Sequence, residues 1–126
     1  MYEVTVKRSF SAAHVLAEAG GGCENLHGHN FTVEVSASAR ELNAQGLAVD
    51  FRVLKRWTED VLQELDHKYL NDVPYFKASS PSSEHIARFI YERIADKAQG
   101  EPFVLSCVTV WESESSRVSY RADQHD

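Results

Sequence analysis

A nearly perfect alternation of apolar and polar residues in "FTVEVSASAR", residues 31 to 40, constrains the fold more than any other feature. In an extended chain, alternate side chains point to opposite faces, so Phe31, Val33 and Val35 share one face with Ala37 and Ala39. The pattern predicts a half-buried strand of an antiparallel sheet. The opposite, polar face can contact solvent, or it can line the interior of an assembly if subunits join edge to edge.

The flanking segments predict further strands and two helices. Residues 2 to 16 alternate in the same way, which indicates a strand pair or one bent strand. Residues 52 to 66 have a helical period. Ser80 is the expected N-cap of a second helix, with Pro81 at its first position and Gly100 near its end. The apolar stripe of the first helix contains Val53, Leu54, Trp57, Val61, Leu62 and Leu65. That of the second contains Ile86, Phe89, Ile90 and Ile94.

The C-terminal segment "FVLSCVTVWESESSRVSYRA" predicts two strands joined at about residues 114 to 116. The order strands, helices, strands is typical of an α+β domain, with an antiparallel sheet covered by two helices on one face. A chain of 126 residues without repeats or linkers is expected to form a single domain over residues 1–126.

Composition excludes several classes of partner. The net charge of −6, without a basic stripe, argues against nucleic acid. No apolar run approaches the roughly 18 residues of a spanning helix, and the N-terminus is unlike a signal peptide, so no membrane partner is expected. Cys23 and Cys107 form no disulfide framework, and we expect a cytoplasmic protein with free thiols.

The stretch "CENLHGHN", residues 23 to 30, concentrates metal-binding residue types. His27 and His29 are two apart, so in a strand both imidazoles point to one side, and Gly28 between them would let the backbone approach closely. His14, near the end of the first strand region, would lie alongside if an antiparallel neighbour pairs there. Three neutral imidazoles and an open position are typical of catalytic zinc, although the ligand type also suits iron, nickel or copper. The alternative is a histidine-rich polar loop.

The two cysteines are interpreted differently. Cys23 lies in a glycine-rich polar loop, where a nearby cation would lower its pKa and produce a thiolate base or nucleophile. The alternative, burial as a small apolar residue, suits Cys107 better, because Cys107 lies inside an apolar strand.

The Asp66–His67 pair and Glu112 each allow both a structural and a chemical interpretation. Asp66 and His67, in "LDHKYLND", form either a charge cluster at a helix end or an orienting carboxylate with a proton-transfer histidine. Glu112, in "VTVWES", is either a solvated residue at a strand end or a carboxylate that holds an amidine-like ring edge by two hydrogen bonds.

Six motifs occur in order along almost the whole chain: "FSAAH", "CENLHGHN", "VDF", "LDHKYLND", "PSSEH" and "VTVWES". Together they resemble the 6-pyruvoyltetrahydropterin synthase family, most closely its bacterial 6-carboxy-5,6,7,8-tetrahydropterin synthase branch. The resemblance implies the tunnelling fold (T-fold), with four antiparallel strands and two helices per subunit. It also implies that trimers close their sheets into a barrel and stack as a homohexamer.

The resemblance also implies residue roles. The metal ligands, for Zn2+, would be His14, His27 and His29, and the catalytic residues would be Cys23, Asp66 and His67, the last two contributed across a subunit interface. Glu112 would anchor the pterin. Ser83 would line the substrate pocket, although Ser82 and His85 depart from the usual "PTSEN".

The implied reaction converts 7,8-dihydroneopterin triphosphate to 6-carboxy-5,6,7,8-tetrahydropterin, with release of acetaldehyde and triphosphate, on the route to queuosine-type bases. Alternatives are elimination of triphosphate to give 6-pyruvoyltetrahydropterin, or a non-catalytic pterin- or metal-binding module.

Overall fold

The computed structural model describes residues 1–16 and 26–122, and of His27 only the backbone. Within these ranges one sheet has the strand order β3-β1-β2-β4-β5, and its strands are β1 (Tyr2–His14), β2 (His27–Ala39), β3 (Lys68–Tyr69), β4 (Val104–Trp111) and β5 (Arg117–Tyr120). The helices are α1 (Phe51–Leu62) and α2 (Ser83–Lys97), with short 3-10 turns at Leu70–Asp72 and Pro74–Phe76.

The predicted fold class is confirmed, with one addition. Both helices pack on the same face of a sheet whose long strands are all antiparallel. The described part of the chain contains five strands rather than the predicted four, because β3 pairs in parallel with Ala12 and Ala13 of β1. Strand β3 consists of only two residues, both exposed, and so short a segment has no alternating pattern from which a strand could be predicted.

The pairing of β1 with β2 places the apolar residues of both strands on the helix side of the sheet. Phe10 lies opposite Phe31, and their rings stack with centroids 4.9 Å apart. The alternating apolar residues of β2 from Phe31 onward are all buried. Residues 2 to 14 form one continuous strand, so the single-strand interpretation is confirmed.

A β-bulge interrupts the pairing of β2 with β4. Ser36 pairs with Cys107 and Ala37 pairs with Leu105, so Ser106 is the extra residue. The bulge shifts the alternation by one position, and Leu105 and Val108 are therefore both buried in the core. Cys107 is buried as well, as predicted.

The face of the sheet opposite the helices carries polar side chains that bond across strands. The hydroxyls of Thr5 and Ser36 lie 2.7 Å apart, and Trp111 Nε1 donates to Glu34 Oε2 at 3.0 Å. Cross-strand bonds of this kind satisfy polar groups without an apolar cover.

Both helices are shorter than predicted. α1 begins after its N-cap Asp50 and ends at Leu62, where residues 63–67 turn away, although Leu65 stays fully buried. The N-cap of α2 is Ser82, not Ser80, because Ser82 Oγ accepts a hydrogen bond from the His85 amide. In the described residues, no helix is long and apolar enough to cross a bilayer.

Candidate metal centre and its surroundings

Three side chains that could hold a metal ion meet on the helix side of the sheet, each from the end of a different strand. His14 ends β1, His29 lies near the start of β2, and Glu112 directly follows β4. Glu112 Oε1 is 3.8 Å from His14 Nε2, and Glu112 Oε2 is 3.9 Å from His29 Nε2. One ligand atom from each of the three lies within 4.8 Å of the others.

The antiparallel pairing of β1 and β2 produces this proximity, as expected. Ala12 lies opposite His29 and His14 lies opposite His27, so the strands bring the "HGH" stretch beside His14. The imidazoles of His14 and His29 pack edge to face, with centroids 5.3 Å apart. His14 is completely buried, whereas the side chain of His29 is 26% exposed.

The backbone of Pro81 determines the orientation of His14. The ring nitrogen Nδ1 of His14 lies 2.7 Å from the Pro81 carbonyl oxygen, which can only accept a hydrogen bond. Nδ1 is therefore the donor of this hydrogen bond, and Nε2 is the ring atom that faces Glu112. Contacts of this kind commonly fix the tautomer of metal-binding histidines.

Ser83 positions the carboxylate of Glu112. Ser83 is the first residue of α2, and its hydroxyl donates to Glu112 Oε1 at 2.8 Å. The amide of Glu112 donates to the Ser116 carbonyl at 3.2 Å, which closes the turn between β4 and β5. Helix α2 and this turn therefore hold Glu112 from both sides.

The ligand atoms of the described cluster fit a divalent metal. Imidazole nitrogen and carboxylate oxygen are the ligand types of catalytic zinc sites, and they also suit other first-row metals. From the sequence, Glu112 was expected to be either a solvated residue at a strand end or a carboxylate that holds a ring edge, and a position beside the histidines was not predicted. No local pattern predicts this contact, because Glu112 is far from both histidines along the chain.

Two predicted residues of the site are not described or only partly described. Cys23 lies outside the described residues, and of His27 the structure gives the backbone position opposite His14. Their predicted roles stay predictions. An added Cβ at Gly28 would lie 3.8 Å from the Ala12 carbonyl oxygen, an ordinary contact, so packing against the described residues does not require glycine there. The expected close approach of this backbone to a metal stays a prediction.

Asp66 and His67 form a hydrogen-bonded pair at the edge of the sheet. His67 Nδ1 is 3.1 Å from Asp66 Oδ2, and the His67 side chain is 81% exposed. The backbone amide of Ser11 donates to Asp66 Oδ1, and this bond, opposed by partial burial and aided by His67, lowers the pKa of the Asp66 carboxyl. A pair with a charged acceptor and an accessible imidazole suits proton transfer.

The backbone of His67 is strained. Its φ of 59° lies in the left-handed region that disfavours side chains with a Cβ. The His67 amide donates to the Ser11 carbonyl at 2.6 Å, which fixes this conformation against β1. Such strain persists where surrounding contacts hold it, and it is common at functional sites.

A shallow open cavity is lined by one residue of each group, His29 of the cluster and His67 of the pair. Its volume is about 520 Å³, and its lining includes His29, His67, Lys68 and Tyr69. Sequence reasoning did not single out Lys68 or Tyr69, which reach this cavity because β3 pairs with β1.

Comparisons with known proteins agree with this architecture. The pattern of the family "PTPS: 6-pyruvoyl tetrahydropterin synthase" matches residues 3–123. The chain is 32% identical to a 6-carboxy-5,6,7,8-tetrahydropterin synthase of Bacillus subtilis, over 95% of this chain and 85% of the relative. It is 35% identical to a dihydroneopterin monophosphate aldolase of Pyrococcus furiosus, over 86% and 88%.

A solved structure supports the same assignment. The 6-pyruvoyl tetrahydropterin synthase of Caenorhabditis elegans superposes with a TM-score of 0.83, at 32% identity and with 98% of each chain covered. Fold, motif order and sequence identity agree over nearly the whole chain. The chain therefore belongs to the 6-pyruvoyl tetrahydropterin synthase family.

Proposed function

We propose that the protein is a zinc-dependent lyase that converts 7,8-dihydroneopterin triphosphate and water to 6-carboxy-5,6,7,8-tetrahydropterin, acetaldehyde and triphosphate. The observation that carries the proposal is the cluster of His14, His29 and Glu112, of which His29 also lines an accessible cavity with His67. The ligands of the metal would be His14, His27 and His29. A zinc ion held there would polarise the side-chain hydroxyls of the substrate.

The remaining residues have separate roles in the proposal. The Cys23 thiolate removes a proton from the substrate side chain, and His67 donates or relays one. Asp66 holds the His67 tautomer through the 3.1 Å contact with Nδ1. Glu112 anchors the pterin ring when substrate is bound, with Ser83 as its hydrogen-bond donor.

The same proposal includes a homohexamer of two stacked trimers. A sheet face of hydrogen-bonded polar side chains suits the interior of a barrel formed by several subunits. The exposure of His67, 81%, suits a residue that completes the site of a neighbouring subunit. We place the protein in the cytoplasm and its product on the route to queuosine-type bases.

The choice of reaction depends on a sequence feature, since relatives of similar identity are named for three different activities. Three residues separate Cys23 from His27, whereas 6-pyruvoyl synthases typically have a longer gap. A displacement of about 1 Å of a reacting group can change a rate by orders of magnitude. The short gap favours carbon–carbon cleavage over elimination of triphosphate alone.

A product assay tests the proposal. Metal-loaded protein is incubated with 7,8-dihydroneopterin triphosphate, and pterins are separated while acetaldehyde is trapped as a hydrazone. The expected result is 6-carboxy-5,6,7,8-tetrahydropterin with an equal amount of acetaldehyde. Protein stripped of metal serves as the control and should be inactive until Zn2+ is restored.

Other products would reassign the reaction. Dominant 6-pyruvoyltetrahydropterin without acetaldehyde would identify the alternative elimination. Cleavage that leaves phosphate on the released aldehyde would identify an aldolase, the activity named for the Pyrococcus furiosus relative. Binding of pterin without turnover would identify a non-catalytic module.

A further inference from the structure

We infer that Glu112 is itself a metal ligand in the substrate-free protein and gives up this position when substrate binds. The inference rests on the proposed function, because it concerns the same metal. Glu112 would thus have two successive partners, first the metal and then the pterin ring.

The distances support a shared ion. Zinc bonds of about 2.0 to 2.2 Å at tetrahedral angles place two ligand atoms about 3.3 to 3.5 Å apart. The two carboxylate oxygens lie 3.8 and 3.9 Å from Nε2 of His14 and His29. These two separations would need to shrink by about 0.5 Å, and the ligand atoms of all three residues lie within 4.8 Å of one another, a range that side-chain rotations can close.

The facing atoms are also of the types that bind a divalent cation. The Pro81 carbonyl accepts a hydrogen bond from Nδ1 of His14, so Nε2 is the ring atom that faces Glu112 Oε1. An imidazole nitrogen and a carboxylate oxygen are both zinc ligands, and an ion between them would contact both.

Ser83 holds the carboxylate in this position without blocking its release. The hydroxyl of Ser83 donates to Oε1 at 2.8 Å, as expected for a group that orients a ligand. The Glu112 side chain is 35% exposed, so an incoming molecule can reach it. With three histidines, Glu112 would complete four-coordination and protect the metal until substrate hydroxyls displace the carboxylate.

The test measures metal affinity in the absence of any pterin. Dissociation constants for Zn2+ are determined by competition with a chromophoric chelator for wild type, Glu112→Gln, Ser83→Ala and Glu114→Gln. Glu114 is an exposed carboxylate two residues away, so Glu114→Gln removes the same charge without touching the cluster. Thermal melting of the metal-free variants checks that each is folded.

The expected result is graded. Ser83→Ala should weaken Zn2+ binding by roughly tenfold, within the range known for groups that orient a ligand. Glu112→Gln should weaken it by roughly 100-fold, at the upper end of that range, because it removes the ligand itself. Glu114→Gln should stay within about twofold of wild type. In the Co2+-substituted protein, the visible absorption band should change in Glu112→Gln and not in Glu114→Gln, because only the former alters the coordination shell.

The contrary results are distinguishable. If Glu112→Gln and Glu114→Gln bind Zn2+ equally well, the inference is wrong, while the proposed function stands if the wild-type protein is active with zinc. If the wild-type protein binds no Zn2+ at all, both the inference and the zinc-dependent reaction fail.

Discussion

The side-chain amide of Asn71 makes two hydrogen bonds to the backbone of Val15. The Val15 amide donates to Asn71 Oδ1 at 2.9 Å, and Asn71 Nδ2 donates to the Val15 carbonyl at 3.0 Å. Val15 directly follows His14, so Asn71 fixes the chain at the point where it leaves the candidate metal centre. A side-chain amide carries both a donor and an acceptor, so Asn71 satisfies the N–H and the C=O of the same residue.

Replacing Asn71 should therefore reduce both stability and metal affinity. Asn71→Ala leaves two partly buried backbone groups without their partner, and we expect a loss of about 1 to 3 kcal/mol in the free energy of unfolding. Asn71→Asp keeps the acceptor and loses the donor, so it should also destabilise. Denaturant unfolding and Zn2+ competition measure the two effects. The exposed neighbour provides the control, since Asp72→Ala should change stability by no more than about 0.5 kcal/mol.

Zinc content should depend on the histidines of the cluster. Wild-type protein is expected to hold about one Zn2+ per chain, and His14→Ala, His29→Ala or His27→Ala should lose most of it on dialysis against a weak chelator. His85→Ala is the matched control, because His85 is not a member of the described cluster and its Nδ1 is hydrogen-bonded to the Ser80 carbonyl. Full zinc occupancy in His29→Ala would contradict the assignment.

The strained backbone of His67 predicts an unusual order of stabilities. At most positions glycine is less stable than alanine, because it loses more conformational freedom on folding. At a φ of 59° alanine retains the strain and glycine does not. We therefore expect His67→Gly to be more stable than His67→Ala by up to about 1 kcal/mol, with both inactive. The reverse order in denaturant unfolding would show that the strain is absent in solution.

The lowered pKa of Asp66 predicts a stability difference that depends on pH. The native carboxylate is stabilised chiefly by the Ser11 amide, so its contribution is fully present above the ordinary carboxyl pKa of 3.8. It is lost as the pH falls through the lowered native pKa. The melting temperature of metal-free Asp66→Ala should thus fall below that of wild type at neutral pH, and the gap should narrow below about pH 3.8. A constant gap would contradict this interpretation.

Mixed assemblies test the proposed contribution of His67 to a neighbouring site. Cys23→Ala should fold and keep its metal but lose turnover, because the thiol is a proposed base and not a ligand. When inactive Cys23→Ala and His67→Ala chains are mixed, dissociated and reassembled, some sites hold both intact residues, so partial activity should return.

Two observations check the mixing experiment. Cys107→Ala should leave activity nearly unchanged, which separates the role of Cys23 from general effects of thiols, since Cys107 is buried in β4. Analytical ultracentrifugation should show a hexamer. A fully active monomer would rule out the shared site.

The parts of the fold that follow from local patterns were predictable. The alternation around Phe31 predicts a strand with one buried face. Because His27 and His29 are two residues apart at the start of this strand, the same alternation predicts that they share a face. The pairing with His14 was expected from the antiparallel order of strands. These features depend on residues close together in sequence or on adjacent strands.

Features that depend on distant contacts were not predictable. The run "SSPSS" contains several residues that are able to cap a helix, and the sequence does not show which of them is the N-cap. In the structure the N-cap is Ser82, and the carbonyl of the preceding residue, Pro81, contacts His14. The contacts of Asn71 with Val15 and of Glu112 with the histidines join segments far apart in the chain. No local periodicity encodes such pairs.

The register of β1 against β2 links the histidine cluster to the hydrophobic core. His14 and His29 lie on the same face as Phe10 and Phe31. A slip of one residue would turn His29 away from His14 and, at the same time, move Val33 from the interior to the opposite face. During folding, metal binding would therefore select the same pairing that apolar burial selects, so the ion would act as a check on correct strand alignment.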